Sequence, residues 1–196
     1  LALTAAFAVS STAAVADGYP KKPVTIVAPY GPGGASDMAT RTLAASAPNY
    51  LQQGVLSINK AGAGGTVGST FVYKTRPDGY TLLLARVATH AVSPAMKNLP
   101  YKPMEFTILG LLEKNPFVCA TSMEKPYKSL KDLLDAIKAN PGKVTYSSAG
   151  VGTLLQVAGV MLIDEAGIPN ANKAATHVPY KGGGPAALAA LKGEVD

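Results

Sequence analysis

Four glycine-rich stretches of the sequence could bind an anion. They read GPGGASD (31–37), AGAGG (61–65), AGVGT (149–153) and KGGGP (181–185), and each lies between an apolar run and a helical pattern. The first turn of a helix has unpaired backbone N–H groups and a partial positive charge, and glycines let a ligand approach those groups. One such loop is more often a tight turn alone, but four in one chain favour a shared binding site.

The spacing within these loops argues against phosphate and dinucleotide binding. The Walker pattern is absent because Lys181 precedes its glycines, and no acidic residue ends the second predicted strand to hold a ribose. The stretch GAGGTVG (62–68) is a weak dinucleotide signal. An α/β enzyme with a nucleotide cofactor is therefore the alternative function, and these residues alone leave the anion open.

Residue types suited to catalysis are present but poorly arranged. A Ser/His/Asp triad could be assembled from Ser36, Asp37, His90 and His177, yet nothing in their spacing supports one. Ser148 lacks the leading glycine of a G-x-S-x-G elbow. Asp37 is interpreted as a helix cap or as an acceptor for a ligand hydroxyl. We predict no catalytic residue, no cofactor and no metal site, since zinc and EF-hand spacings are missing.

Composition narrows the possible partners. The 196 residues carry a formal charge of +6, with 18 Lys plus Arg scattered along the chain, 7% aromatic residues and no Trp. Nucleic-acid binding usually needs clustered charge and stacking rings, so we predict no nucleic-acid partner. A weak general attraction for small anions fits better. The single cysteine, Cys119, is expected to be a buried apolar residue of a strand.

Alternating apolar runs and helical patterns predict an α/β fold. A first helix is predicted at about 38–46, capped by Ser36 or Asp37, and a short second helix ends near residue 74. A third follows a capping box of Ser129 and Asp132, a fourth spans 154–166, and a fifth follows the fourth glycine-rich stretch. Strands are predicted at 24–30, 54–59, 80–86, 106–112, 116–122, 143–148 and 176–180. The third of these strands lacks alternation, which predicts burial on both faces.

The pattern restarts near residues 122–129, which predicts a first α/β lobe over 17–121 and a second over 122–196. The chain stops at GEVD, where another strand is due, so we expect it to be C-terminally truncated. Residues 1–16 are small and apolar and end in an A-x-A pattern before Asp17, which predicts a partial secretory signal and an exported protein. A buried N-terminal helix, and with it a cytoplasmic binding module, is the alternative.

Taken together, the motifs resemble the Bug-type substrate-binding proteins of tripartite tricarboxylate transporters over about residues 19–196. The stretches that carry the resemblance are YPKKPVTIVAPYGPGGASD, GAGGTVGS, PDGYTLLLA, THAVSPAM, LPYKP, ANPGKVTYSSAGVGT and HVPYKGGGPA.

This resemblance implies a non-enzymatic receptor in the periplasm of a Gram-negative bacterium, with the type II architecture of two lobes that close like a flytrap. The second lobe and the return of the chain to the first lobe would be incomplete here. The implied ligand is a small carboxylate (a di- or tricarboxylate, an amino acid or an aromatic acid), the implied partners are membrane transporter subunits, and the receptor is expected to be a monomer.

The resemblance also implies which residues contact the ligand. In the first lobe these are Tyr30, Gly33, Gly34, Ala35, Ser36, Asp37, Gly64, Gly65, Thr89 and His90. In the second lobe they are Ser148, Gly150, Gly152, Thr153, Tyr180 and Lys181. Departures from the family pattern at Lys60, Ala61, Ser93 and Gln156 bear on which ligand is bound rather than on how it is bound.

Overall fold

Two small parallel sheets organise residues 18–196, the part of the chain that the computed structural model describes. The predicted signal segment and the predicted mature start at Asp17 lie outside the described residues. Both sheets are built from strand–helix units, as the alternating sequence pattern predicts.

The first sheet has the strand order β2-β1-β3. Its strands are β1 (Val24–Ala28), β2 (Val55–Asn59) and β3 (Thr81–Leu83). The central strand β1 pairs in parallel with both neighbours, so that Ile26 lies opposite Ser57 on one side and Leu82 on the other. Because β1 is covered on both edges, its apolar residues are almost completely buried.

Four helices and three single turns accompany this sheet. The helices are α1 (Ala35–Ser46), α2 (Pro48–Leu51), α3 (Thr66–Lys74) and α4 (Ser93–Met96). The turns are two of 3-10 type (Ala63–Gly65 and Pro103–Glu105) and one of π type (Ala88–Val92).

The second sheet pairs β4 (Thr145–Ser148) in parallel with β5 (Thr176–Pro179). Its helices are α5 (Leu130–Ala139), α6 (Leu154–Glu165), α7 (Ala171–Ala174) and α8 (Gly183–Leu191). The predicted capping box of α5 is confirmed: the Ser129 side chain accepts from the backbone of Asp132, whose carboxylate accepts from the backbone of Ser129. The helices pack on the sheet around a buried cluster of Ile137, Val144, Ile163, Ile168, Ala171, Ala174 and Ala175.

The predicted strands at 106–112 and 116–122 are wrong. These residues form no strand, and their apolar side chains are exposed, for example Leu109 at 76% and Val118 at 78%. Within residues 18–196 neither segment pairs with the open edge of β2 or of β3, and β-propensity without a partner does not make a strand. Cys119 is consequently exposed and not buried as predicted.

Two predictions about the first sheet also need correction. Strand β3 is shorter than predicted, and its residues are only half-buried because β1 is its one strand partner in the described part of the chain. Helix α1 begins three residues earlier than predicted, with Gly34 at the N-cap position. Ser36 and Asp37 therefore lie inside the first helical turn, and neither is the cap.

No helix within residues 18–196 is both long and apolar enough to cross a membrane.

Candidate functional site

The four glycine-rich loops meet in two pairs. The first loop (31–37) lies against the fourth (181–185), where the Gly31 N–H donates to the Lys181 carbonyl over 2.7 Å. The second loop (61–65) lies against the third (149–153), where a Cβ added to Gly150 would be 3.3 Å from the Gly64 Cα. The structure therefore brings all four loops to the boundary between the two sheets, as expected for loops at the carboxyl ends of parallel strands.

The contact between the first and fourth loops, which we call the seam, leaves no room for a side chain at Gly182 or Gly184. A Cβ on Gly184 would lie 2.5 Å from the Pro32 carbonyl oxygen, and one on Gly182 would lie 2.8 Å from the Gly31 nitrogen. Both contacts are with backbone atoms, which cannot rotate away. The glycines of the seam are thus explained by close packing of two backbones, and the Gly31 N–H is used within the protein.

The second and third loops, in contrast, border a cavity of about 250 Å³. It is lined by Tyr30, Gly62, Ala63, Gly64, Gly65, Lys97, Ala149, Gly150, Val151, Pro179, Tyr180 and Lys181. This volume is below the range of about 300–1,000 Å³ typical of sites for drug-sized ligands, so a small metabolite fits the cavity better.

The cavity has a positive electrostatic character. Lys97 and Lys181 both line it, and no aspartate or glutamate does. Neither lysine forms an ion pair within the described residues. Two lysines and the glycine-rich backbone line the same small space, which is an arrangement suited to an anion.

Tyr30 holds the second loop in place beneath the cavity. Its hydroxyl donates to the Gly64 carbonyl over 2.9 Å, and burial raises the pKa of this hydroxyl to about 12, so it stays protonated at neutral pH. The Tyr30 carbonyl in turn accepts from the Asn59 side chain at the end of β2 over 3.0 Å. A Cβ on Gly65 would lie 2.9 Å from the Tyr30 hydroxyl, so this glycine allows the tyrosine to approach.

Ser148 and its neighbours hold the third loop. The Ser148 hydroxyl accepts from the Gly150 N–H over 3.1 Å and lies 2.6 Å from His177 Nε2, whose pKa burial lowers below its ordinary value. Thr153 donates its hydroxyl proton to the Gly150 carbonyl over 2.7 Å, and the Gly152 N–H donates to the Gln156 side chain over 2.7 Å. The loop conformation is thus fixed before any ligand arrives.

Ser36 and Asp37 are held by protein partners next to the seam. The Asp37 carboxylate accepts from the Arg41 guanidinium over 2.9 Å and from the Gly33 N–H over 2.9 Å, and these bonds, Arg41 foremost, lower the pKa of Asp37. Arg86 Nε donates to the Ser36 hydroxyl over 2.8 Å. Both side chains are almost completely buried and neither lines the cavity.

Thr89 and His90 lie in an aromatic cluster behind the second loop. The Thr89 hydroxyl is 2.9 Å from His90 Nδ1, and the His90 ring packs edge-on against Phe106 with ring centres 5.0 Å apart. Burial lowers the pKa of His90. A Cβ on Gly65 would lie 2.7 Å from the Thr89 methyl group, so Thr89 packs beneath the cavity wall without lining the cavity.

The predicted contact residues therefore fall into two groups. Those that line the cavity are Tyr30, Gly64, Gly65, Gly150, Tyr180 and Lys181. Those that lie in the seam or behind the cavity wall are Gly33, Gly34, Ala35, Ser36, Asp37, Thr89, His90, Ser148, Gly152 and Thr153. Lining residues that the sequence reasoning missed are Gly62, Ala63, Lys97, Ala149, Val151 and Pro179. Most of these lie within or next to the glycine-rich stretches, whereas nothing in the sequence singled out Lys97.

The residues considered for a Ser/His/Asp triad are not arranged as a triad in the structure. Ser36 bonds to Arg86, Asp37 to Arg41, and His90 to Thr89. The one Ser–His pair, Ser148 with His177, has a serine that is fully buried (0% exposed) and so cannot meet a substrate. Within residues 18–196, no three His, Cys, Asp or Glu side chains cluster in a way that could hold a metal ion.

Comparison with known proteins gives consistent matches. Residues 39–196 match the family described as the tripartite tricarboxylate transporter family receptor, TctC. The chain is 38% identical over 181 residues to a UPF0065 protein of the TAR-I ttuE–ttuC′ intergenic region of Agrobacterium vitis, covering 92% of this chain and 51% of that protein. It is 35% identical over 183 residues to protein BugT of Bordetella pertussis, covering 92% and 55%. The chain thus spans about half the length of these curated relatives.

Solved structures give the same picture. A protein described as a periplasmic transporter is 34% identical, with a TM-score of 0.77 over 91% of this chain and 59% of that one. MatC from Rhodopseudomonas palustris with bound malate is 30% identical, with a TM-score of 0.79 over 91% and 60%. An R. palustris protein with adipate is 25% identical, with a TM-score of 0.78 over 90% and 58%. The predicted α/β fold of the periplasmic-binding-protein type is confirmed over that part of these structures.

Proposed function

Because the chain belongs to the tripartite tricarboxylate transporter receptor family, we propose that it captures a small carboxylate in the periplasm and presents it to the membrane subunits of a transporter. Membership of a receptor family agrees with the prediction of a receptor rather than an enzyme. The periplasmic location, the transporter subunits as partners and the monomeric state are parts of this proposal.

The observation that carries the proposal is the cavity between the second and third loops. It combines two lysines, no acidic residue and the backbone of four glycines in about 250 Å³. A carboxylate suits such a site because ammonium groups and N–H dipoles together balance its charge. Support comes from two structural relatives of similar fold, whose structures hold malate and adipate.

We assign the roles within the site as follows. The backbone N–H of Gly64 receives the carboxylate, and Lys181 supplies a positive charge beside it. The N–H groups of Gly65 and Gly150 already donate to Gly62 and Ser148 and shape the loops. Tyr30 positions the second loop through its hydrogen bond to Gly64. Residues behind the wall, such as Ser148 and Thr89, keep the loops in shape without touching the ligand.

The two sheets correspond in this proposal to the two lobes, 17–121 and 122–196. The cavity lies between them, since its lining comes from loops of both sheets. Closure of the lobes around a carboxylate would remove it from water and strengthen its interactions with the N–H groups and lysines.

Ligand-dependent stabilisation tests the proposal. The full chain is titrated with malate, succinate, adipate, glutamate, benzoate and NAD, and the melting temperature is recorded for each. A ligand at about 100 times its Kd adds about 2.7 kcal/mol to the free energy of unfolding, which raises the melting temperature measurably. We expect at least one carboxylate to stabilise the protein and NAD to have no effect. Stabilisation by NAD alone would instead support the enzyme alternative and overturn the proposal.

A further inference from the structure

We infer that Lys97 is a specificity-determining residue that makes the cavity selective for a dianion, a ligand with two carboxylates, over a monocarboxylate or a zwitterion. This inference rests on the proposed carboxylate-binding function and concerns the charge of the ligand rather than its exact identity.

Lys97 and Lys181 line the cavity from different elements of the fold. Lys97 follows the last residue of α4, in the part of the chain that carries the first sheet, with extended backbone that ends the helix. Lys181 follows β5 and belongs to the fourth loop. The two ammonium groups are therefore carried by separate elements and do not form a single cluster on one helix face.

The position of Lys181 is fixed by its backbone. Its carbonyl accepts from the Gly31 N–H in the seam, so its side chain starts from a defined point at the edge of the cavity. Lys97 is held at the end of α4, where its N–H donates to the Ser93 carbonyl over 3.0 Å. It makes no ion pair within residues 18–196. Both residues are exposed, so their side chains are accessible to a ligand.

Charge balance favours two carboxylates. No aspartate or glutamate lines the cavity; Glu194 accepts from the hydroxyl of the lining residue Tyr180 over 3.3 Å. A monocarboxylate would neutralise one lysine and leave the other without a counter-charge. The ammonium group of a zwitterion would lie next to a second ammonium group, which is unfavourable. A short dicarboxylate satisfies both lysines.

Three probes of equal chain length separate these charges. Succinate has two carboxylates, succinamate replaces one of them by a neutral amide, and 4-aminobutyrate replaces one by an ammonium group. Affinities are measured by isothermal titration calorimetry for the wild-type full chain and for Lys97→Met, Lys97→Arg and Lys97→Glu. Lys173→Met, which removes an exposed lysine remote from the cavity lining, is the matched control.

We expect wild-type protein to bind succinate more tightly than succinamate. Lys97→Met should weaken succinate binding about five- to tenfold, the effect of one exposed charge pair at about 4 Å in water, and leave succinamate binding within about twofold. Lys97→Arg should preserve the preference, and Lys97→Glu should reverse it in favour of 4-aminobutyrate. Lys173→Met should behave as wild type.

The outcomes distinguish the role of Lys97 from the proposed carboxylate-binding function. If carboxylates bind but Lys97→Met leaves the ratio of succinate to succinamate affinity unchanged, the role of Lys97 is overturned and the carboxylate receptor stands. A loss that is equal for both probes also overturns it, because that pattern indicates a structural role. If none of the probes and none of the wider carboxylate panel binds, the proposed function itself fails, and the inference fails with it.

Discussion

The two pairs of loops have the same glycine-rich composition but different roles. In the seam, the backbones of the first and fourth loops touch each other, and the Gly31 N–H is consumed by Lys181. In the other pair, the backbones also approach closely, since a Cβ on Gly64 would lie 2.7 Å from the Val151 carbonyl oxygen, but here they border a cavity as well. Hydrogen bonds from Tyr30 and Ser148 fix the conformation of these two loops. Glycine indicates that something approaches the backbone closely, but it does not indicate whether that is a ligand or another backbone.

The seam is the region where a single methyl group should cost most. Gly184→Ala would place a Cβ 2.5 Å from the Pro32 carbonyl oxygen and 2.8 Å from the Gly34 nitrogen, and neither atom can move without shifting the first loop. We expect a loss of about 1–3 kcal/mol in the free energy of unfolding, measured by urea denaturation.

Gly183→Ala is the matched control for that change. A Cβ at Gly183 meets nothing within 4 Å, and neither glycine adopts the left-handed conformation, so backbone strain is the same for both. Its unfolding free energy should stay within about 0.5 kcal/mol of wild type. Equal effects of the two substitutions would contradict the close packing of the seam.

Substitutions at the second and third loops, which border the cavity, should reduce stability less and ligand affinity more than substitutions in the seam. Tyr30→Phe removes the hydrogen bond to the Gly64 carbonyl, which should cost about 0.5–1.5 kcal/mol of stability and weaken carboxylate binding by loosening the second loop. Calorimetric titration of the variant and its urea denaturation measure the two effects. Tyr50→Phe is the control because Tyr50 is 85% exposed and lies outside the cavity lining. Wild-type carboxylate affinity in Tyr30→Phe would show that this hydrogen bond does not position the site.

Lowering the pH should have the smallest effect, and it should affect the third loop more than the seam. Burial lowers the pKa of His177, so between that value and the unfolded value of about 6.5 the unfolded chain binds more protons than the folded one. The free energy of unfolding therefore falls as the pH drops below about 6.5 and levels off below the folded pKa. His90 contributes in the same direction.

Hydrogen exchange can locate this effect. His177 contacts Ser148, which holds the third loop, whereas the seam is joined by backbone groups that do not titrate. Between about pH 7 and about pH 5.5, amides at 149–153 should lose protection relative to those at 181–185, after correction for intrinsic rates. His177→Gln should remove the difference. Equal loss of protection in both loops would argue against this division.

Elements with their own local signals could be predicted from the sequence. Strands β1, β2, β4 and β5 are short runs that each precede one of the glycine-rich stretches. The periodic apolar stripe with a Ser129–Asp132 box defines α5. These signals depend on neighbours a few residues away, and the structure agrees with them to within a few residues.

What depends on distant partners could not be predicted in this way. The segments 106–112 and 116–122 have strand-like composition, but whether they pair depends on another strand at their side. The pairing of the loops is equally non-local: no local pattern states that the first loop meets the fourth and that the second meets the third. Lys97 lies between the stretches THAVSPAM and LPYKP but belongs to neither, and only the folded chain shows that it lines the same cavity as Lys181.

At Lys181 the backbone and the side chain have different roles. Its contribution to the seam is a carbonyl group, which almost any residue could provide, and its contribution to the cavity is a side chain. Substitutions at this position can therefore alter the chemistry offered to a ligand while the junction of the two sheets keeps its geometry. A single substitution here can therefore change the charge offered to a ligand while the backbone bond from Gly31 stays in place.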